Sequence, residues 1–505
     1  MKTASRPNST KLLIGAIAAS AVGAFVVACG GGGSDEPINV TSGTVFKNAT
    51  VINTRDGSLQ SGVTVVVDGG KIRTITARFI NPIGTAVAID ATGKFIVPGF
   101  MDMHTHYYDS PVGEQAAAGA LLIANGITAV REMRGSAEIV QSAKQLNADS
   151  AAGRVDAPEI LIIPGEIIGL NAVPASQSAA AAIQEVQKQK AYGAGYIKTV
   201  RANRDATLAF LAEAKNQGLH VAGHFSQSVS AKESSDLGWR AVEHLGAGLS
   251  ILLDCSSNED ALRAGVVAGT TSTIAARQPI LDTYSDSKCQ ALAQTFAKNG
   301  TWHVPTLIRL RTGSLATDDT LYRTDPNLVY VSKATRAAWE GAAVAYGQAN
   351  DAASAARLRT YYDKLQTLPK LLKANGVKML AGSDTSVIAT WVIPGFSLHQ
   401  EFKLLAASGL KPLEILQMTT INVAEFFSRE STMGTVEEGK NADLVLLDAN
   451  PLADIANLDK ISAVVLKGKY FSKAALDKMK SDVATMFANQ PLESASLAVA
   501  NTHVD

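Results

Sequence analysis

The hydrophobic positions of the chain follow two different patterns. Near both ends, short β-branched runs are separated by turn signals such as Asp-Gly and Gly-Gly, first at 45–89 and again at 442–451 and 461–471. Runs of this kind, bounded by such turns, are typical of β-strands. Between these regions, short apolar runs alternate with helical stretches rich in Ala, Leu, Lys and Gln. Because strands that alternate with helices form parallel sheets, the middle of the chain is predicted to have an α/β fold.

The alternating region contains eight strand candidates separated by helical stretches. They are Phe95–Met103, Ile127–Met133, Glu159–Pro164, Tyr196–Val200, His220–His224, Ala241–His244, Trp302–Thr306 and Lys378–Gly382. Eight such units over about 330 residues predict a (β/α)8 TIM barrel with insertions. The β-rich segments on either side are predicted to pair into one small β-sandwich domain built from the N- and C-terminal segments.

The predicted domain boundaries follow these changes of pattern. One connection, at about 313–375, is unusually long and is predicted to be a helical insertion over the barrel mouth. The predicted parts are a lipoprotein signal peptide (1–28), a flexible tether (29–42), the composite β-sandwich domain (43–94 and 430–475), the catalytic barrel (95–429) and a C-terminal tail (476–505).

The N-terminal segment is predicted to be a targeting signal. Basic residues precede an apolar run from Leu12 to Ala28, and Val26-Val27-Ala28-Cys29 resembles a bacterial lipobox. This pattern predicts cleavage before Cys29 and attachment of lipid to its sulfur. The alternative is an uncleaved transmembrane anchor, since the run is near the lower limit of a spanning length. The lipoprotein interpretation predicts a lipid-anchored protein of the cell envelope, facing the periplasm or the exterior.

Composition excludes several classes of protein. With 46% hydrophobic and 18% charged residues, the chain is globular rather than disordered. Lys plus Arg and Asp plus Glu both number 46, so the formal net charge is zero and no nucleic-acid partner is predicted. Three cysteines cannot form a disulfide framework, and whether Cys255 and Cys289 pair is left open.

Two histidines at the end of the first strand candidate indicate metal chemistry. His104 and His106 lie two residues apart in "FIVPGFMDMHTH", so on a strand both imidazoles point to the same side. Neutral imidazoles are common metal ligands. Barrel enzymes hold their catalytic residues at the carboxyl ends of the strands, which is where this pair lies.

Four further polar residues follow other strand candidates. His224, His244 and Asp384 each close or follow a candidate strand, and Lys198 lies within the fourth. The carboxyl ends of barrel strands meet at one rim, so these side chains are expected to converge with the histidine pair. Such a group needs a common partner, and two divalent metal ions are predicted.

The sequence resembles the amidohydrolase superfamily, in its imidazolonepropionase-like branch that includes binuclear Xaa-Pro dipeptidases. The resemblance extends from about residue 43 to 471. Its motifs are "GKFIVPGFMDMHTH", "ANGITAVREMRG", "GAGYIKTV", "AVEHLG", "YVSKATRAAW", "LAGSDT", "GLKPLEILQMTTINVAEFF" and "GTVEEGKNADLVLLDANPL". The resemblance implies that His104, His106 and Asp384 bind one metal, that His224 and His244 bind the other, and that Lys198 bridges both.

A bridging lysine requires chemical modification, because an ammonium group cannot bind a cation. Lys198 is therefore predicted to carry a carboxylate on its N6 atom, whose two oxygens each hold one metal. Imidazole and oxygen ligands favour Zn²⁺, although Mn²⁺ or Co²⁺ suits the same set. The predicted mechanism uses a metal-bridging hydroxide, with Asp384 as the general base that passes the proton to the departing amine.

The predicted activity is hydrolysis of an amide bond in a small molecule, a dipeptide or an N-acyl amino acid. Arg201, Arg204 and His303 are the candidate substrate contacts, the arginines as a clamp for a carboxylate. The alternatives are a binuclear esterase, lactonase or carbamate hydrolase and a mononuclear deaminase, against which Gln227 and the bridging lysine argue. A binding protein without activity is disfavoured by the complete ligand set. Association into a homo-oligomer is left open.

Overall fold

The two ends of the chain share one sheet, and parallel strands lie between them in sequence. The computed structural model describes residues 37–110, 113–315, 320–385 and 390–490. The predicted signal peptide, the predicted lipidation site at Cys29 and the last part of the tail fall outside the described residues. Within those ranges, none of the helices combines the length and the apolar character needed to cross a membrane.

The strands are short and are listed here in chain order. They are β1 (Ile38–Val40), β2 (Thr44–Ile52), β3 (Leu59–Asp68), β4 (Lys71–Thr76), β5 (Ile80–Pro82), β6 (Val87–Asp90), β7 (Phe95–Pro98), β8 (Phe100–Thr105), β9 (Ile127–Glu132), β10 (Glu159–Ile162), β11 (Tyr196–Thr199), β12 (His220–Gly223), β13 (Ala241–Glu243), β14 (Trp302–Val304), β15 (Leu444–Leu447), β16 (Ile461–Leu466) and β17 (Lys469–Ser472).

The α-helices occupy most of the sequence between the parallel strands. They are α1 (Gln115–Ala124), α2 (Ala137–Ala151), α3 (Ala179–Tyr192), α4 (Arg204–Asn216), α5 (Ala231–Asp236), α6 (Ser250–Asp254), α7 (Glu259–Val267), α8 (Thr273–Asp282), α9 (Asp286–Asn299), α10 (Leu307–Ser314), α11 (Thr320–Arg323), α12 (Lys333–Ala349), α13 (Ala352–Gln366), α14 (Leu368–Ala374), α15 (Phe396–Ala407), α16 (Pro412–Met418), α17 (Ile421–Phe426) and α18 (Lys473–Asn489).

An eight-stranded sheet joins the N- and C-terminal segments in the order β17-β16-β15-β7-β2-β3-β4, with β6 paired to β2. Its apolar side chains come from both ends of the chain, for example Phe46, Val65, Ile96, Leu446 and Val465, which share one buried cluster. The pairing of the two β-rich segments therefore occurs as expected. The description of this region as a β-sandwich stays a prediction.

The first strand candidate is two strands that belong to different sheets. β7 pairs antiparallel with β15 in the terminal sheet, whereas β8 pairs parallel with β9. The chain changes sheet at Pro98-Gly99, where proline has no N–H to continue a ladder. Gly99 also lies so close to Thr128 that a Cβ would meet its Oγ1 at 2.2 Å. The prediction of one strand from Phe95 to Met103 is therefore corrected.

The strands of the central region are parallel. β8, β9 and β10 form one sheet, and β11 to β14 form another in chain order. An isolated parallel bridge between Pro164 and Tyr196 connects the two sheets. Helices connect most of these strands in sequence, as the α/β prediction requires. The carboxyl ends of these strands therefore share one edge.

The last strand candidate is the exception among the parallel strands. The segment 378–385 is not a regular strand but forms single bridges, from Met379 to β14 and from Thr385 to β8. A Cβ on Gly382 would lie 2.8 Å from the Cβ of His104, so only glycine permits this approach to β8. Asp384 has a φ of 59°, which takes the chain out of the extended conformation. This turn is a physical reason why the ladder stops.

The long connection between β14 and the segment 378–385 is helical in the structure. It contains α10 to α14, so helices occur where the insertion at about 313–375 is predicted. A second helical excursion, α6 to α9, lies between β13 and β14. The structure joins Cys255 and Cys289 of this excursion in a disulfide, with their Cα atoms 4.5 Å apart.

Candidate metal centre

A cavity of about 550 Å³ lies at the carboxyl ends of the parallel strands. All six side chains that the sequence analysis singled out as metal ligands line it, namely His104, His106, Lys198, His224, His244 and Asp384. The structure therefore brings together residues that are up to 280 positions apart. Each lies near or just beyond the end of its strand or bridge, as a shared strand edge requires.

Three of the six side chains form a compact group. The Nε2 atoms of His104 and His106 lie 3.1 and 3.2 Å from Oδ1 of Asp384. One ligand atom from each residue lies within 4.8 Å of the others, which is a spacing that one metal ion can satisfy. The burial of the group excludes most solvent, since His106 is half-buried and the other two are buried.

A second pair of imidazoles lies beside this group. The rings of His224 and His244 have their centroids 5.0 Å apart, and the ring of His244 lies 4.7 Å from that of His104. Nε2 of His244 is 3.8 Å from Oδ2 of Asp384. The carboxylate of Asp384 therefore faces the first histidine pair with one oxygen and the second pair with the other.

The protonation states of these residues suit metal binding. Burial lowers the pKa of His224 and of His244 well below the usual value, so both rings are neutral and keep a lone pair. Burial alone would raise the pKa of Asp384, but its interactions with the His104, His244 and His106 side chains outweigh burial and hold this pKa well below its usual value. Neutral nitrogens and an ionised oxygen are the donors that Zn²⁺ and similar cations require.

Lys198 lies in the same cavity on β11 and is only 2% exposed. Burial lowers the pKa of its amine to about 8, despite the nearby carboxylates of Glu243 and Asp384. A larger fraction of the side chain is therefore an uncharged amine near neutral pH than for a lysine in water. The structure thus places an amine with raised nucleophilicity among the four imidazoles.

Comparison with known proteins assigns the chain to a family. Residues 95–470, about three quarters of the chain, match the model of the Amidohydrolase family. The chain belongs to the amidohydrolase family. The resemblance stated from the sequence motifs is therefore confirmed.

Curated relatives match short segments of this amidohydrolase. An 81-residue segment is 37% identical to the imidazolonepropionase of Thermoplasma volcanium and covers 16% of this chain and 19% of that protein. An 86-residue segment is 34% identical to the adenine deaminase of Desulfatibacillum aliphaticivorans, with 17% and 14% covered. The chain thus matches less than a fifth of the length of either relative.

Solved structures match over a much larger part of the chain. A Xaa-Pro dipeptidase with methionine bound in its active site has a TM-score of 0.60 at 19% identity and covers 85% of this chain and 100% of its own. A bottromycin amidohydrolase has a TM-score of 0.66 at 21% identity, with 88% and 90% covered. At such identities the similarity shows a shared α/β fold.

The amidohydrolase site contains a buried ion network that sequence analysis missed. Nδ1 of His104 donates to Oε2 of Glu243 at 2.7 Å, and Nη2 of Arg131 donates to Oε1 of the same carboxylate at 2.7 Å. Glu243 is fully buried, yet the Arg131 and His104 charges offset burial and hold its pKa at about 2. An ionised Glu243 fixes the His104 ring so that Nε2 faces Asp384. The sequence signal for this network is that Arg131 and Glu243 are charged residues within otherwise apolar strand candidates.

A second carboxylate ties the metal-ligand segments together. Asp102 accepts the backbone N–H groups of His104 at 3.1 Å and of Ser383 at 3.0 Å, and the Ser383 hydroxyl at 2.6 Å. Burial raises its pKa to about 6. This carboxylate therefore holds β8 against the segment that carries Asp384.

Several residues of the site have an unusual backbone conformation. His244, Thr306 and Asp384 have φ values of 53°, 44° and 59°, a region that residues other than glycine adopt rarely. The side chains of His244 and Thr306 also contact each other through Nδ1 and Oγ1. Strained residues that cluster at one place are typical of functional sites.

The structure does not bring the three predicted substrate contacts to this cavity. Arg201 is exposed, and Arg204 lies at the start of α4, where it forms an ion pair with Glu233 at 2.5 Å. His303 is 0% exposed, packs against the ring of Phe296 with the two planes tilted by 52°, and has its pKa lowered to about 3 by burial. None of the three is among the described residues that line the cavity.

Helical segments supply most of the rest of the cavity wall, and loop residues such as Ile167, Leu170 and Val200 supply the remainder. Besides apolar side chains, the helical segments contribute two arginines and three tyrosines, namely Arg277, Arg309, Tyr346, Tyr361 and Tyr362. Nε of Arg309 lies 3.2 Å from Oδ2 of Asp384. The sequence carried no signal for these residues, because the position of a long helical insertion depends on tertiary packing.

Proposed function

We propose that the chain is a metal-dependent amidohydrolase that cleaves the amide bond of a dipeptide or an N-acyl amino acid. The observation that carries the proposal is the convergence of four histidines, a lysine and an aspartate on one cavity. The family model and the similarity in fold to a Xaa-Pro dipeptidase support a hydrolase that acts on C–N bonds.

The residues of the cavity fit a pair of divalent ions, with Zn²⁺ preferred. His104, His106 and Asp384 would hold one ion, and the adjacent His224 and His244 the other. Lys198, once carboxylated on N6, would offer one oxygen to each. The orientation of His104 by Glu243 supports this assignment, because metal-bound histidines donate their second N–H to a carboxylate.

The chemistry proposed for the site divides between the ions and Asp384. Bound divalent ions supply Lewis-acid activation of a water molecule and of the substrate carbonyl. Oδ1 of Asp384 faces the first histidine pair, so Oδ2 is the atom that takes the proton of the attacking water. Asp384 then passes this proton to the departing amine.

Further features of the molecule are part of the same proposal. We infer that the parallel strands close into a TIM barrel, since bridges join Pro164, just after β10, to β11 and join the segment 378–385 to both β14 and β8. The terminal sheet would form the composite β-sandwich domain, in which β7 (Phe95–Pro98) joins the predicted segments 43–94 and 430–475. Lipidation of Cys29 would place the enzyme in the cell envelope with access to small-molecule amides. Formation of a homo-oligomer stays open.

Deamination is the second candidate function. The similarity of short segments to adenine deaminases favours it, at 34% identity for one and 28% for another from Listeria monocytogenes. Lys198 in the cavity favours the binuclear amide hydrolase, since that lysine serves no purpose in a mononuclear deaminase. The products separate the two functions, because a deaminase releases ammonia from a nucleobase.

Metal analysis of the full-length chain and of Lys198→Ala tests the proposal. We expect close to two ions per chain in the first and a clear loss of metal and of amidase activity in the second. Lys188→Ala is the matched control, since this lysine is exposed on α3 and outside the cavity. Equal metal content in Lys198→Ala and the unaltered chain would remove the bridging role. Assays with Xaa-Pro dipeptides, N-acyl amino acids, lactones, aryl carbamates and adenine would then assign the reaction.

A further inference from the structure

The charged side chains of the cavity are predominantly cationic. Among the described lining residues other than the six proposed metal ligands, Arg277 and Arg309 carry positive charge and none is a carboxylate. A concave site with an excess of one charge attracts ligands of the opposite sign. The cavity therefore suits a substrate that carries an anionic group.

Arg309 is the arginine that lies beside the reacting centre. It belongs to the first turn of α10, and its Nε is 3.2 Å from Oδ2 of Asp384. That oxygen is the one to which the proposed function assigns the transferred proton. A group bound by this guanidinium is therefore within a few ångströms of the bond that is cleaved.

The covalent geometry of an N-acyl amino acid matches this spacing. Its carboxylate carbon is three bonds from the scissile carbonyl carbon, a distance of about 3 to 4 Å. A guanidinium presents two parallel N–H donors to a carboxylate in one plane. We propose that Arg309 binds the substrate carboxylate on the amine side of the scissile amide and so determines specificity, an inference that rests on the proposed function.

The start of α10 is held firmly enough for such a role. The backbone N–H of Ile308 donates to Oε2 of Glu401 at 2.7 Å, and Glu401 is 0% exposed on α15. Gly313 leaves room for the guanidinium, since a Cβ there would lie 3.3 Å from Nη1 of Arg309. Arg309 is thus preorganised by the anchored start of α10 and by the space beside Gly313, which reduces the entropy lost when a ligand binds.

Arg277 occupies a different part of the wall. It lies on α8, and its guanidinium carbon is 5.6 Å from the centroid of the Tyr361 ring, within the range of a cation–π contact. The ring of Tyr361 is fixed in turn by a hydrogen bond from its hydroxyl to the carbonyl of Leu249. Arg277 therefore contributes positive charge from the aromatic wall, whereas Arg309 alone contacts Asp384 among the described arginines.

Paired substrates test the assignment in the metal-loaded, full-length enzyme. Each N-acyl amino acid is compared with its C-terminal carboxamide, which keeps the shape and removes the charge. For Arg309→Met we expect the ratio of kcat/KM for the acid to kcat/KM for the carboxamide to fall about 10- to 100-fold. Arg309→Lys should recover part of the preference, and metal content should stay constant.

Arg204→Met is the matched control, because this arginine is exposed and paired with Glu233 on the surface. It should leave the preference for the acid unchanged. Equal losses for acid and carboxamide in Arg309→Met would overturn the assignment, since they would place Arg309 in the reaction rather than in recognition. Lack of any preference in the unaltered enzyme would also overturn it.

A binding measurement separates failure of this inference from failure of the proposed function. If neither amide is hydrolysed, the proposed function is wrong, and calorimetry with an N-alkyl amino acid and its carboxamide decides the role of Arg309. Tighter binding of the acid that is lost in Arg309→Met supports the inference. Equal affinity for acid and carboxamide overturns it.

Discussion

The strand edge and the helical cover contribute to the cavity in different ways. The strand edge supplies the predicted metal ligands, and their side chains are oriented by buried carboxylates such as Glu243 and Asp102. The cover, formed by α8, α10, α12 and α13, supplies arginines, tyrosines and apolar side chains. We infer that the edge carries the reaction and that the cover carries the selection of substrate. Changes in the two regions should therefore alter different measured quantities.

Asp384→Asn at the strand edge should have the largest effect. The amide keeps the shape of the side chain but cannot take a proton from water, so we expect kcat to fall by about 10²–10⁴-fold for every substrate. The assay measures kcat and KM on an acid and its carboxamide. Asp236→Asn is the control, because this exposed aspartate on α5 pairs with Lys232 far from the chemistry. A loss confined to the acid substrate would contradict the division between edge and cover.

The disulfide is expected to stabilise the helical cover and to leave the strand edge unaffected. Cys255 and Cys289 are 34 residues apart, and the loop they close contains α7 and α8, which carries Arg277. By loop entropy, replacing both cysteines with serine should lower the free energy of unfolding by roughly 3 to 4 kcal/mol. Denaturant titration measures this change, and the unaltered chain in reductant is the control. Loss of metal at low denaturant would show that the two regions are not independent.

The difference between the regions also explains what the sequence could reveal. The convergence of the predicted ligands at the strand edge could be predicted, because strand periodicity and the shared carboxyl edge of parallel strands place these side chains together. Glu243 and Arg131 could have been found as charges within buried strands, where a charge needs a partner. Arg309 could not, since nothing local fixes where α10 lies over the cavity.

Errors in the sequence analysis have the same origin. The eighth strand candidate was recognised as apolar, but its single bridges reflect the approach at Gly382 and the turn at Asp384, which depend on contacts with β8. Arg201 and Arg204 follow a correctly placed strand, yet the start of α4 directs them to the surface. Strand ends are thus predictable, whereas the direction of the loops that follow is not.

Glu243→Gln should have an intermediate effect at the edge. The variant keeps an oxygen for the His104 N–H but loses the charge that pairs with Arg131. Loss of such a carboxylate partner weakens metal binding by about 10- to 100-fold, and we expect that change here. Competition with a chelator measures the affinity, and the acid-to-carboxamide ratio of kcat/KM should stay constant. An altered ratio with unaltered metal affinity would place Glu243 in recognition instead.

Glu401 gives an expected effect of a different kind, on the pH dependence of stability at the base of the cover. Burial raises its pKa to about 8, although the backbone N–H of Ile308 opposes this. Between the unfolded pKa of about 4.5 and the folded value, the native state holds a proton that the unfolded chain releases. Stability should therefore fall as pH rises through this range, by at most about 1.4 kcal/mol per pH unit from this group.

Glu401→Gln removes that proton while keeping an acceptor for α10. Other buried carboxyl groups with raised pKa values, such as Asp254 and Asp443, titrate in both proteins, so the difference between the two stability curves isolates Glu401. In denaturant titrations from pH 5 to 8, we expect the free energy of unfolding of the variant to rise relative to that of the unaltered chain as pH rises. Parallel curves would mean that Glu401 is already ionised at pH 5. In that case a charged carboxylate accepts the Ile308 N–H at the start of α10. The helix turn that carries Arg309 would then be held by a charge-assisted hydrogen bond rather than by a neutral one.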